Sequence, residues 1–131
     1  MTSYKFKILD KYITRTGDTL YRISNMYFLQ WSIWPAIYRI NEAVITNQWD
    51  IEPGLEIVIP NLNTTKILHK LVAGDDYFTL AHQYYGTMDL YYHIQKENNH
   101  EIITAGNTVT IPALVSERDM HKAKELRHVC A

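Results

Sequence analysis

The chain has 131 residues, enough for one ordinary domain or two very small ones. Hydrophobic residues make up 47% and charged residues 21%, a globular composition, and a formal net charge of −1 leaves no basic excess to neutralise phosphates, so nucleic acid is not an expected partner. The single cysteine, Cys130, excludes an internal disulfide, no apolar run approaches the roughly 18–20 residues of a membrane helix, and the N-terminus MTSYKFKILDKY lacks the apolar core of a signal peptide, so neither membrane insertion nor export is expected.

The first element is strand-like. Phe6 and Ile8 alternate with Lys5 and Lys7, a period of two that sets the lysines towards solvent, where they guard an edge against stray pairing. The extended pattern continues to Gly17, whose backbone freedom suits a sharp turn, and Asp18 or Thr19 then caps a helix. Leu20, Ile23 and Tyr27 lie on one face of that helix. Phe28-Leu29-Gln30-Trp31 interrupts the pattern. A second helix starts at Ser32 or Ile33, with Pro35 in its first turn, a buried stripe of Trp34, Ile37 and Ile40, and Asn41 at its end, where left-handed backbone suits asparagine. A loop over 42–52 leads to the Pro53-Gly54 turn and to a strand in which Leu55, Ile57 and Ile59 alternate before Pro60.

The chain then repeats itself. After a polar link at 61–66, an offset of 57 carries Gly17, Asp18, Tyr27, Trp34, Ile37 and Asn41 onto Gly74, Asp75, Tyr84, Tyr91, Ile94 and Asn98. Beyond the asparagine an offset of 52 carries Gly54, Ile57, Ile59 and Pro60 onto Gly106, Val109, Ile111 and Pro112. One deletion, placed in a loop, accounts for the change. The expected cores are Leu20, Ile23, Tyr27, Trp34, Ile37, Ile57 and Ile59 for the first copy, and Leu80, Tyr84, Tyr91, Ile94, Val109 and Ile111 for the second. The tail at 113–131 reads as a helix, with Ser116 and Asp119 at capping-box spacing, Val115 and Met120 placed as a staple, and Met120, Ala123 and Leu126 as a narrow apolar stripe. It either folds back on its own domain, frays in solvent, or docks a neighbour.

Tyr12, the Gly17-Asp18-Thr19-Leu20 turn, Trp34, the helix-ending Asn41, Pro53-Gly54 and Ile57-Val58-Ile59-Pro60 together resemble a LysM domain. In the second copy Gly74-Asp75-Asp76-Tyr77 and Ala105-Gly106 depart from that pattern, while Asn98 and Ile111-Pro112 keep it. The resemblance implies an α+β fold of two tandem βααβ modules, each with two helices on a two-stranded antiparallel sheet. The expected layout is an extension strand at 1–11, modules at 12–60 and 69–112, a linker at 61–68 and a tail helix at 113–131.

Two classes of function follow from the resemblance. LysM domains bind N-acetylglucosamine polymers such as peptidoglycan or chitin, and the implied groove has Gly17, Asp18, Thr19 and Leu20 on one wall and Ile51, Glu52 and Pro53 on the other. LysM-like modules also occur as assembly proteins of phage tails and related contractile injection machines, whether phage- or host-encoded. The run His82-Gln83-Tyr84-Tyr85-Gly86…Leu90-Tyr91-Tyr92-His93-Ile94…Asn98 resembles that group. Phe28, Leu29 and Trp31 form an apolar turn that is hard to bury in so small a module, with Trp49 in the long loop as a second contact, so that these residues are expected either to meet a partner or to curl onto the neighbouring repeat, while Met120 and Leu126 are the contacts expected if the tail helix docks a neighbour.

Catalysis has little support in the sequence. The six histidines lack metal-ligand spacing, His93 and Glu97 read as an exposed polar pair, and Cys130 has no local histidine. The sequence thus leads to a non-enzymatic protein without metal or cofactor. Its expected place is a tail baseplate or hub, assembled in the host cytoplasm and bridging hub, tube, sheath or wedge subunits. The alternative is a peptidoglycan-binding protein in the bacterial cytoplasm.

Overall fold

The computed structural model describes residues 7–129. It is a mixed α+β structure with, among the described residues, five α-helices and two small antiparallel sheets. Strand β1 (Ile8–Ile13) pairs with β2 (Glu56–Pro60), Tyr12 standing opposite Ile57. The pairing slips between Ile8 and Asp10, so Leu9 and Tyr12 turn towards the core while Ile8 stays 52% exposed. This corrects the simple alternation expected there, because a bulge inserts a residue and breaks the period of two. Phe6 and Lys5, and at the other end Cys130, lie outside the described residues. Residues 8–11, expected in a separate extension, belong to the first sheet.

Helix α1 (Leu20–Phe28) begins where Thr19 accepts a hydrogen bond from the Arg22 N–H, so that Thr19 is the cap of the two candidates, Asp18 and Thr19. Leu20, Ile23, Tyr27 and Phe28 are buried along one face. Phe28 is fully enclosed, which corrects its expected place in an exposed turn. Eight residues after Leu20, it completes the second full turn of the same apolar stripe, and its burial contributes about 2–3 kcal/mol. The chain leaves the helix through Leu29, whose φ of 57° is left-handed, and a 3-10 turn (Trp31–Ile33) leads into α2 (Trp34–Ile40) with Pro35 in its first turn. Ile37 is buried as expected, whereas Trp34 is only half-buried.

Asn41 has φ −114°, so left-handed backbone is not its role. Its side-chain amide donates to the carbonyls of Ile37 (2.7 Å) and Val58 (2.8 Å), and its side-chain oxygen accepts from the Val58 N–H (2.8 Å). The asparagine thereby sews the end of α2 to the middle of β2.

The second half runs in the same order: β3 (Ile67–Lys70), α3 (Tyr77–Tyr85), a 3-10 turn (Met88–Leu90), α4 (Tyr91–Glu97) and β4 (Thr108–Ile111), with β3 antiparallel to β4. Asp76 caps α3 in a reciprocal box with Thr79. Gly86 holds the left-handed position that Leu29 takes in the first half. Asn98 repeats the Asn41 clasp, bonding Ile94 and both backbone groups of Thr110. Tyr85, equivalent to Phe28, is fully buried and donates to the Pro112 carbonyl at 2.7 Å. The expected core residues Tyr84 and Tyr91 are only partly covered.

The two halves share one continuous core, where two separate cores were expected. Leu62 from the polar link and Leu114 and Val115 from the tail are buried in the cluster they share. Helix α5 (Glu117–Val129), capped by Ser116 through the Asp119 N–H, returns to pack on α1. Arg127 donates to the Met26 carbonyl (3.0 Å) and lies over the Tyr27 ring (4.0 Å), while Gln30 donates to the Leu114 carbonyl. Ala123 is buried and Met120 packs on the core, so the inner face of the tail helix is used by its own chain. This corrects Met120 as a contact kept for a partner. Leu126 remains exposed.

Candidate functional site

The two loops expected to form groove walls do meet. Thr14, buried at the end of β1, donates its hydroxyl to the Glu52 carbonyl (2.7 Å) and accepts from the Leu55 N–H (2.9 Å). Its backbone bonds Leu55 and Gly54 as well. The Pro53-Gly54 turn is therefore fixed beside the turn that begins at Arg15. Sequence reasoning passed over Thr14; a polar residue among alternating apolar ones just before the Gly17 turn was the available signal.

The first wall is braced from behind. The Asp18 carboxylate accepts from the Tyr12 hydroxyl (2.6 Å) and the Arg15 N–H (2.7 Å), and Gly17 takes φ 86° to let the chain curl around it. Burial, then the Asp18 carboxylate, push the Tyr12 phenol up to about 12, so this bond keeps its proton at neutral pH. Asp18 and Leu20 are buried and hold the turn from inside, whereas Gly17 and Thr19 face solvent. On the second wall Ile51 is buried, and Glu52 and Pro53 are exposed.

Beside these walls stands a cluster of aromatic rings. Tyr21 packs edge-on against Trp31 (5.7 Å) and Trp34 (5.6 Å) and lies 6.1 Å from Trp49, which in turn is 5.8 Å from Trp34. Tyr38 adjoins Trp34 at 6.3 Å. The structure thus joins Trp31 and Trp49, expected as separate contacts, into one surface that is 61% and 64% exposed at these two rings. Leu29 is half-buried below.

The equivalent region of the second half is built differently. Leu71 replaces Thr14, so the side-chain clamp is missing. Instead the Tyr77 hydroxyl donates to the Glu101 carbonyl (2.6 Å) and spans the two walls itself. His69 stands in the place of Tyr12, within 2.9 Å of Asp75 and 2.7 Å of the Tyr84 hydroxyl. Burial pushes the Asp75 carboxyl up, but the Val72 N–H and His69 outweigh it and hold Asp75 below the usual range.

An open cleft of about 460 Å³ between the halves is lined by Arg39, Glu42, His82, Thr87 and Asp89 among others, where Arg39 pairs with Asp89 (2.8 Å) and with Glu42. Glu97 pairs with Lys66 and not with His93, which is half-buried against Tyr92; this corrects the exposed His93–Glu97 pair. Among the described residues no group of His, Cys, Asp and Glu could hold a metal ion, and no helix is long and apolar enough to cross a membrane.

The profile described as LysM domain matches residues 12–60, the span that contains both walls and the aromatic cluster. No curated protein gives a significant match to the chain. Residues 12–60 therefore carry a LysM domain, a type of module that binds rather than catalyses.

Proposed function

We propose that residues 12–60 bind an N-acetylglucosamine polymer of the peptidoglycan or chitin class, without chemistry on it. The observation that carries this reading is the Thr14 clamp, which fixes the Gly17-Thr19 turn against the Glu52-Pro53 turn within the matched LysM span. A prearranged pair of loops loses little conformational entropy when a flexible sugar chain settles between them. The walls offer exposed backbone at Gly17 and Thr19 for acetamido groups and the apolar Pro53 for a methyl or ring face. Residues 69–112 are proposed as a second LysM-like module that has kept the scaffold, given the shared Asn41 and Asn98 clasps, but has its loops bridged by Tyr77.

Retention of the full chain on purified peptidoglycan and on chitin tests the reading. Thr19→Asp keeps a capping residue, as Asp76 does in the second half, but puts a charge on the open wall. Saturable retention that this variant weakens at unchanged melting temperature is the expected result. No retention of the wild type on either polymer overturns it.

A second reading, a structural role in a phage tail baseplate or a related contractile injection machine, is favoured by one observation. The second half exposes Phe78, Met88, Tyr92 and Ile102, the last 94% exposed, and a sugar groove does not use them. Sheath, tube and spike reading frames beside the gene, together with loss of particle assembly in Met88→Ser, Ile102→Ser, are its expected signs. Normal assembly of that variant removes it.

A further inference from the structure

The aromatic cluster lies outside the paired turns but is continuous with them. Tyr21 follows Thr19-Leu20 in the first turn of α1, Trp49 precedes Ile51 in the opposite loop, and their rings are 6.1 Å apart. Trp34 packs beneath and locks the arrangement, with Tyr21 edge-on to it and Trp49 tilted against it. The edge-on packing of Tyr21 uses ring edges for internal contacts and leaves Trp31 and Trp49 largely open to solvent. Helix α5 covers the neighbouring face of α1 at Met26 and Tyr27, while the Trp31 and Trp49 rings remain exposed.

The chemistry of this surface favours a carbohydrate over a peptide. One face of a pyranose ring presents polarised C–H groups, which are attracted to the electron-rich face of an indole or phenol. The rings have neutral amides, Asn47 and Gln48, at their margin, and these suit sugar hydroxyls and acetamido groups. Among the described residues, the one guanidinium seen over these rings, Arg39 at 5.3 Å from the Tyr38 ring, already has carboxylate partners in Asp89 and Glu42.

We propose that Tyr21, Trp31 and Trp49 form a stacking platform for further sugar rings of the N-acetylhexosamine chain held between the turns, so that affinity grows with chain length until the platform is filled. This rests on the reading of residues 12–60 as a glycan-binding domain. All three tryptophans of the protein, Trp31, Trp34 and Trp49, belong to the cluster, so intrinsic tryptophan fluorescence reports on it alone.

The test uses calorimetric titration of the full chain with the β-1,4-linked N-acetylglucosamine disaccharide, tetrasaccharide and hexasaccharide. The wild type is compared with the double variant Trp31→Ala, Trp49→Ala, two exposed positions whose truncation leaves the core intact. The expected result is a roughly tenfold gain in affinity from disaccharide to hexasaccharide in the wild type, lost in the double variant while disaccharide binding is retained. The hexasaccharide also shields wild-type tryptophan from acrylamide quenching, and the disaccharide does not. An equal length-dependent gain in both proteins overturns the platform and leaves the groove standing. Absence of binding at every length removes both. Wild-type self-association that the double variant abolishes, with sugar affinity unchanged, assigns the patch to a second copy of this chain and likewise overturns the proposal.

Discussion

The two halves of this chain solve the same folding problem with different side chains, and the differences separate what holds the fold from what is free to bind. Both halves keep an asparagine that ties the second helix to the last strand, and both enclose a large aromatic at the end of the first helix, Phe28 in one and Tyr85 in the other. They diverge at the loops. Both halves join these loops through backbone bonds, at Thr14 in the first and Leu71 in the second, but the first adds the Thr14 hydroxyl to the Glu52 carbonyl, whereas the second adds the Tyr77 hydroxyl to the Glu101 carbonyl. A repeated scaffold therefore does not imply a repeated site.

The largest effects are expected where the halves agree. Phe28→Ala and Tyr85→Ala should each cost about 3–5 kcal/mol in denaturant unfolding, by lost burial and cavity formation. Because the core is continuous, each should shift the unfolding of the whole chain. Two resolved transitions in either variant would show that the halves are energetically separate. Next come Asn41→Ala and Asn98→Ala, each of which strips hydrogen bonds from both backbone groups of a strand residue. We expect about 2–3 kcal/mol for each, with Asn41 at least as costly because it is the more deeply buried.

Arg127→Ala probes the strap between the halves. Loss of the contact with the Tyr27 ring and of the bond to Met26 should cost about 1–2 kcal/mol and loosen α5 from α1, visible as faster amide exchange in α5. A change below the error of measurement would mean that α5 is held by Ala123 and Met120 alone.

His93 occupies the place of the fully buried Ala36, and its Nε2 is buried without a hydrogen-bond partner. Burial, and then the nearby Lys96, hold its imidazole below the ordinary value. The unfolded chain therefore binds the proton more readily, and stability due to this group falls as pH drops below about 6.5. His93→Ala should flatten that part of the pH profile and be relatively more stabilising at pH 5 than at pH 7. The smallest expected effect is at the left-handed position, where Leu29→Gly relieves about 1 kcal/mol of backbone strain. That relief offsets the lost packing of a half-buried leucine, giving a net change under about 1 kcal/mol, whereas Gly86→Ala should destabilise by about 1 kcal/mol.

Much of this architecture was legible in the sequence. The Gly17 turn, the Thr19 cap, Pro35 at the start of α2 and the Ser116 cap are all local signals, fixed by residues within one helical turn of one another. What escaped were the long-range choices. The neighbours Leu29 and Trp31 point Phe28 towards an exposed turn, although its spacing from Leu20 and its alignment with Tyr85 both mark it as core. The exchange of roles between Phe28, buried, and Trp34, half-exposed, depends on where the left-handed Leu29 sends the chain. The bonds from Asn41 to Val58 and from Thr14 to Glu52 join residues far apart in sequence, which no local preference reveals. The walls of the site were thus readable, but the clamp behind them and the aromatic surface beside them were not.

Glycan binding by residues 12–60 depends on the paired Gly17-Thr19 and Glu52-Pro53 turns, and amide chemical-shift mapping of the full chain with the N-acetylglucosamine hexasaccharide tests it most directly. The predicted result is perturbation of Gly17, Thr19, Tyr21, Trp49 and Glu52, and of the Trp31 and Trp49 indole N–H groups, with Gly74, Asp76, Phe78 and Glu101 unmoved. Perturbation centred on Gly74 to Phe78 and Glu101, or none at saturating sugar, would contradict it.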